Sequence, residues 1–321
     1  MRISLVLPTW NAGPLLDEVL AAVARQPGAE QLERVAIDSS STDDTPSRLR
    51  RHGFTVHTIA QREFNHGATR DLAIERCSGD VIVLLTQDAT PADAEWLPRL
   101  LECYADPQVG AAYCRQIPRP ECNPILAARL REWTAGQDHP RVQRVADAAA
   151  FARLAPLDRL AASAFDNVAG SVRRSAWQQH RFGLRRFGED VAFGKRLVLS
   201  GWSIVYQPRS RVLHSHNRTP QAEGRRMYCD HANLRELFDV CLLPDYDAFV
   251  ACVAWGREHY GRIADAQPLP EADKAALRRW AEAYAFWAAL GQWLGANSAE
   301  YLAGPLGPFF ARVDRWMRRG V

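Results

Sequence analysis

The chain has 321 residues, a formal charge of +3 and 47% hydrophobic residues. It is long enough to bury a sizeable core as one α/β unit with an appended helical region. The charge is too small for the basic surface that a nucleic-acid partner requires, so none is expected. Its seven cysteines form no CxxC pair or metal spacing and leave one thiol over from any full pairing, which reads as the reduced thiols of a cytoplasmic protein.

The opening "MRISLVLPTWN" is apolar for only a few residues before Pro8 and reads as a strand, not a secretion signal. Short apolar runs then alternate with helical patterns. "ISLVLP" precedes "GPLLDEVLAAVARQ", "RVAIDSS" precedes "TPSRLRRHG", and "FTVHTIA" precedes "GATRDLAIERCSG". "DVIVLLT" precedes "DAEWLPRLLECYAD", and "GAAYCRQ" closes the series. Strands spaced by helices of this length predict βαβ units in a mostly parallel sheet. Ligands of such sheets bind beyond the carboxyl ends of the strands, which singles out Pro8, Thr9, Trp10, Asp38 and Asp88.

Between about residues 122 and 165 the pattern lapses into the alanine-rich "RVADAAAFARLAPLDRLAASAF", a helix or a flap. It resumes with "NVAGSVRRSAWQQH", a strand and a helix, then with the helix "EDVAFGKRLVLSGW". "SIVYQPRSRVLHSHN" predicts two short strands around Pro208. From about Pro220 the chain is helical in period and holds five of the ten tryptophans, which sets the expected domains at 1–219 and 220–321. No window reaches the roughly 18 continuous apolar residues of a spanning helix. A basic tail with Arg312, Arg315, Arg318 and Arg319 suits an anionic membrane surface or a partner, and a plain helical cap equally.

Each candidate site residue has an ordinary structural role beside a functional one. Asp88, before the Pro91 turn, is an N-cap aspartate or a ligand for a hard cation that also holds a diphosphate. In "FNHGATRD", His66, Gly67 and Arg70 open a helix whose free N–H groups and guanidinium suit an anion, although a surface arginine more often forms a salt bridge. Glu189 and Asp190 favour a helix dipole whether or not they react. His214 and His216 in "HSH" share one face of an extended segment and have metal-ligand chemistry available.

In this order the segments resemble the family 2 glycosyltransferases, enzymes of the GT-A fold that use nucleotide-sugar donors. "VLPTWN" is similar to the family's "PTYN", "AIDSSSTDDT" to its "DdgStDgT", and "HGATRD" to its "ARN" helix start. "LLTQDATP" stands where the family has its "DxDD" metal motif, and "FGEDVAFGKRLVLSGWSIVYQP" resembles its "EDxdlxxRlxxxGy" helix. The resemblance spans roughly residues 3–218. "FNHGATRDLA", "TQDATPAD" and "HSHN" look most like bacterial rhamnosyltransferases of O-antigen synthesis, whose donor is normally dTDP-L-rhamnose.

The resemblance implies an α/β GT-A fold with a Rossmann-like, mostly parallel sheet, and an inverting transfer with Asp190 as general base and Glu189 beside it. Pro8, Thr9, Trp10, Asp38, His66, Arg70, Gln87 and Asp88 would bind the donor. Asp88, His214 and His216 would hold Mg²⁺ or Mn²⁺. Aligned by Pro91, Asp88 is the last aspartate of the metal motif and Thr86 replaces the first, so a histidine, with His214 favoured, is the expected additional ligand. At a helix start Asp190 is expected to stay ionised at neutral pH.

The acceptor would be a glycan or a lipid-linked glycan, reached in the cytoplasm or at the inner face of the membrane. A UDP-sugar donor and a non-catalytic scaffold remain alternatives. A sugar-phosphate nucleotidyltransferase lacks support because no "GxGTRLxPLT"-like opening is present, and a dinucleotide oxidoreductase because no GxGxxG follows the first strand.

Overall fold

The computed structural model describes all residues, Met1–Val321. They form two compact units, one of Met1–Pro120 with Leu130–Ser215 and one of Glu121–Arg129 with His216–Val321.

In the first unit, β1 (Ile3–Thr9), β2 (Glu33–Asp38), β3 (Thr55–Thr58) and β4 (Val81–Leu85) are separated by α1 (Leu15–Ala24), α2 (Thr45–Arg51) and α3 (His66–Glu75). Next come β5 (Thr90–Pro91), α4 (Trp96–Glu102) and β6 (Val109–Ile117), followed by α5 (Pro124–Glu132), most of which belongs to the second unit. The alanine-rich lapse resolves into β7 (Arg141–Gln143), α6 (Ala148–Arg153) and α7 (Pro156–Ser163). Then follow β8 (Ala169–Arg173), α8 (Arg174–Gln179), α9 (Glu189–Leu199) and β9 (Ser203–Leu213).

One sheet runs β3-β2-β1-β4-β8-β6-β9-β5, with β7 also paired to β9. β3, β2, β1 and β4 are mutually parallel, β8 is antiparallel to β4 and β6, and β9 is parallel to β6. From β1 the chain steps outward to β2 and β3, then returns to place β4 on the other side of β1. The reversal opens a crevice at the carboxyl ends of β1 and β4, where open α/β sheets bind ligands.

Both faces of the central strands are covered, so β4 reads as an unbroken apolar run rather than an alternating one. Leu5, Leu7, Val81, Val83 and Leu85 pack against Leu16, Val19 and Leu20 of α1 and Trp96 and Leu100 of α4. Burying each such side chain contributes about 1.5–3 kcal/mol. Phe165, Phe182 and Phe193 of α9 form a separate aromatic stack, with ring centroids 4.3 to 6.4 Å apart.

The structure corrects one sequence expectation here. Ser203–Leu213 is a single strand, not two, and its pairing with β6 shifts register between Cys114↔Gln207 and Arg115↔Arg211. Pro208 falls in that irregularity, where a missing N–H costs the ladder nothing.

The second unit is helical: α10 (Pro220–Phe238), α11 (Tyr246–Asp265), α12 (Glu271–Ala296), α13 (Ser298–Ala303) and α14 (Gly307–Met317). α10 and α12 approach so closely that a Cβ on Gly291 would lie 2.0 Å from the Gly224 carbonyl oxygen. Trp293 stacks on Phe249 and Trp280 on Tyr284, so these two tryptophans serve packing. No helix is long and apolar enough to cross a membrane.

Candidate functional site

The crevice has two rims. On the first, the ends of β1 and β2 are laced by hydrogen bonds. Asp38 is 1% exposed; its Oδ1 accepts from Thr9 Oγ1 (3.1 Å) and Ser41 Oγ (2.6 Å), and its Oδ2 accepts from Ser41 N (2.9 Å). Asn11 ties the two loops together, donating its N–H to Ser41 Oγ and accepting at Oδ1 from Thr42 N. Across the crevice, the Gln87 amide pairs with both main-chain groups of Trp10: Oε1 accepts from its N–H (2.8 Å) and Nε2 donates to its carbonyl (3.1 Å). Gln87 thereby links the ends of β1 and β4, while the Trp10 ring projects into solvent and Pro8 lies within β1.

On the second rim, β5 pairs antiparallel with the last residues of β9, Thr90 opposite Leu213 and Pro91 opposite Val212. That pairing carries Asp88 to the residues just after β9. Asp88 Oδ1 lies 3.6 Å from His214 Nε2, and one ligand atom each from Asp88, His214 and His216 fall within 4.8 Å of one another. His214 Nδ1 faces Gln116 Oε1 at 2.7 Å. The Asp88 loop is fastened by buried Arg119, which donates to the Asp88 carbonyl (3.3 Å), to Thr90 Oγ1 (2.6 Å) and to both carboxylate oxygens of Glu18 (3.1 Å).

Beside this rim lies a cluster of three carboxylates and one guanidinium. Gly188, with φ of 65°, caps α9, so Glu189 and Asp190 open that helix. Glu189 Oε1 accepts from Asn167 Nδ2 (2.9 Å) and lies 3.6 Å from Arg70 Nη1. Arg70 is 2% exposed and also donates to the His66 and Asn167 carbonyls. A Cβ at Gly67 would stand 2.2 Å from the Gly183 carbonyl oxygen, so only glycine lets α3 come this close. Asp71 holds the facing loop, accepting from Trp177 Nε1, Phe182 N and Gly183 N.

Burial, reinforced by the charges of Glu189 and Asp166, pushes the Asp190 carboxyl well above the usual aspartate range; the Val191 N–H and Arg70 pull it back only in part. Asp166 is raised as well, chiefly by burial. Burial lowers the Arg70 pKa against the pull of Glu189, Asp190 and Asp166. The expectation that the helix dipole alone keeps Asp190 ionised therefore omits the dominant influences, which come from chain segments far away in sequence.

Residues 4–152 match the family described as "Glycosyl transferase family 2". This stretch, a little under half of the chain, is a glycosyltransferase family 2 domain. The chain is 28% identical over 271 residues to the O-antigen chain rhamnosyltransferase RfbN of Salmonella typhimurium, covering 81% of this chain and 76% of that one. Among solved structures it resembles S. aureus TarS 1–349, with a TM-score of 0.52, 15% identity and coverage of 99% and 88%. It also resembles glucosyl-3-phosphoglycerate synthase from Mycobacterium tuberculosis, solved with Mn²⁺, UDP-glucose and phosphoglyceric acid. For that pair the TM-score is 0.53, the identity 19% and the coverage 76% and 81%. The α/β fold with its mixed, mostly parallel sheet is that of the GT-A structures.

The structure brings together Asp88, His214 and His216 on one side and Arg70, Glu189 and Asp190 on another. His66 is exposed at the start of α3, with its ring edge-on to Phe64. Two readings of the α3 start change. The N–H groups of Gly67 and Ala68 are capped by Asn65 Oδ1, and Arg70 points into the acidic cluster instead of toward solvent.

One carboxylate and two imidazoles form an oxygen and nitrogen donor set that fits a divalent ion with waters completing its shell. Ligands at about 2.1 Å from one ion lie up to about 4.2 Å apart, so a small adjustment of these three side chains seats it.

Gln116, Arg119, Asp166 and Asn167 are site-building residues that the sequence reading missed. Only "DN" immediately before the apolar β8 carried a signal, since an acid and an amide are unexpected at the entrance to a buried strand.

Proposed function

We propose that this glycosyltransferase moves L-rhamnose from dTDP-L-rhamnose to a hydroxyl of a glycan or lipid-linked glycan acceptor, with inversion at the anomeric carbon. The observation that carries the reading is the convergence of Asp88, His214 and His216 at the carboxyl ends of the strands, beside the raised carboxyl of Asp190. The donor sugar rests on the O-antigen rhamnosyltransferase relative, which is similar over most of both chains.

The acceptor oxygen attacks the anomeric carbon as the bond to the nucleoside diphosphate oxygen breaks on the opposite face, and the acceptor proton passes to Asp190. A general base gains from a pKa nearer the working pH, and burial among carboxylates supplies that shift. Glu189 is held by Arg70 and Asn167 as a fixed negative neighbour that keeps Asp190 basic. Thr9, Trp10, Asp38 and Gln87 form the rim against which the nucleotide base rests. Asp88, His214 and His216 would hold Mg²⁺ or Mn²⁺, which neutralises the departing diphosphate.

Within the helical unit, α14 carries a surface suited to a membrane. Phe309 and Trp316 of α14 are 63% and 41% exposed, and exposed Arg312 lies between them at i+3 from Phe309. Of the four tail arginines, Arg318 is paired with Asp314 and lies over Tyr228, whereas Arg312, Arg315 and Arg319 are exposed. Co-sedimentation with vesicles rich in phosphatidylglycerol, but not with pure phosphatidylcholine, is the expected result.

Calorimetric titration of dTDP, UDP and GDP, each with Mn²⁺ and with EDTA, tests the donor. Metal-dependent preference for dTDP supports the reading, and preference for UDP replaces the donor. Absence of binding to all three leaves a non-catalytic scaffold as the better account.

A further inference from the structure

Gln116 stands near the carboxyl end of β6, is 6% exposed and bridges two site residues. Its Nε2 donates to Asp166 Oδ2 at 2.5 Å, and its Oε1 lies 2.7 Å from His214 Nδ1. When ionised, Asp166 only accepts hydrogen bonds, so the amide turns its NH₂ toward Asp166 and its carbonyl toward the imidazole. Asp166 is itself fixed, because its Oδ1 accepts from Val168 N at 2.8 Å. A carbonyl facing Nδ1 requires the proton on Nδ1, which leaves Nε2 with its lone pair directed at the Asp88 side.

The alternative tautomer has an evident attraction. An Nε2–H would donate to the Asp88 carboxylate in a charge-assisted bond. At 3.6 Å that contact is too long for a hydrogen bond, whereas the Gln116 contact is a short one. The same 3.6 Å suits two ligands of one ion, each about 2.1 Å from it. His214 is anchored in this position by its own N–H, which donates to the Ile117 carbonyl at 3.0 Å, one residue beyond Gln116.

We infer that Gln116 is a positioning residue that locks His214 in its Nδ1–H tautomer and so delivers Nε2, rather than an N–H, to the site shared with Asp88. The inference rests on the metal reading of that site. It makes Asp166 the outermost link of a relay, Asp166 to Gln116 to His214, that orients a ligand from the acidic side of the crevice. Partners of this kind commonly alter metal affinity by about 10- to 100-fold when removed.

The test is the tautomer itself, read from long-range ¹⁵N–¹H correlations of the His214 ring at a pH where it is neutral, without metal. Wild type is expected to carry the proton on Nδ1. Gln116→Met is expected to move it to Nε2, and to weaken Mn²⁺ binding, counted by electron paramagnetic resonance with Mn²⁺ alone, by about 10- to 100-fold. Its dTDP affinity in EDTA should stay within about twofold of wild type. Gln116→Glu, sharing one proton with Asp166 on the oxygen that faces it, keeps an acceptor toward Nδ1 and should keep both the Nδ1–H tautomer and most of the Mn²⁺ affinity, which a merely space-filling role would not predict. An Nε2–H ring in wild type, or a Gln116→Met protein with unchanged tautomer and Mn²⁺ affinity, overturns the inference. If wild type carries Nδ1–H but binds no Mn²⁺, the metal reading fails while the assignment of Gln116 as the residue that sets the ring stands.

Discussion

The two rims of the crevice are built on opposite electrostatic plans. At the ends of β1 and β2 the one buried acid, Asp38, accepts three hydrogen bonds from Thr9 and Ser41 and has no charged partner among them. Near β4, β8 and α9, Asp166, Glu189 and Asp190 surround the single buried cation Arg70. Three hydrogen bonds fix Asp38 as part of a shaped surface. Asp166 and Asp190, crowded with Glu189 in a desolvated place, hold protons more tightly than ordinary aspartates. On the function proposed above, the difference assigns recognition to the first rim and chemistry to the second.

The sharpest way to break that comparison is Asp190→Asn, expected to lower transfer by about 10²- to 10⁴-fold while donor affinity stays nearly constant. Equal loss of transfer and donor binding in a radiolabelled-donor assay would make Asp190 a structural residue. The pH dependence follows from the same raised carboxyl. Because the folded pKa exceeds the unfolded one, the folded state binds more protons between the two values, so stability declines as pH rises through that window. Asp190→Asn should therefore stabilise the fold more at neutral than at acid pH in urea titrations. The acid limb of the pH–rate profile should lie above the ordinary aspartate range.

Arg70→Leu should cost about 3–5 kcal/mol by denaturant unfolding, because Glu189 loses its buried counter-charge. A loss under 1 kcal/mol would show that water already reaches the cluster. Asp88→Ala has a smaller, conditional effect: it should remove the Mn²⁺-dependent part of dTDP binding and leave the EDTA value unchanged. Loss in both conditions would place Asp88 against the nucleotide itself. The smallest effect is expected on the first rim, where Gln87→Leu breaks two hydrogen bonds to Trp10 and should cost about 1–2 kcal/mol of nucleotide affinity or stability.

Much of the fold was legible because its signals are local. The run Val81–Leu85 announced a strand buried on both faces, and the spacing of apolar residues gave α1 and α9. Pro208 misled, since its missing N–H is harmful only where the ladder is regular, and here the ladder slips. Asp88, His214 and Asp190 could be singled out because each lies at the end or start of an element that the sequence itself delimits. Arg70 could be found but not understood, as its reading depended on whether its guanidinium met water or Glu189.

By itself, then, the sequence determined the alternation of strands and helices, the strand ends where ligands bind, and the acids and histidines available there. Only the tertiary structure decided which of these meet. The antiparallel pairing of β5 with β9 brings Asp88 to His214, and the order of β8 and β6 in the sheet brings Asp166 to Gln116. Periodicity reports which face of its own element a residue occupies, and it carries no record of what a strand 50 or 100 residues away lays against that face. Proton affinities, ring tautomers and ion pairs are set by those distant neighbours, so they appear only once the chain has folded.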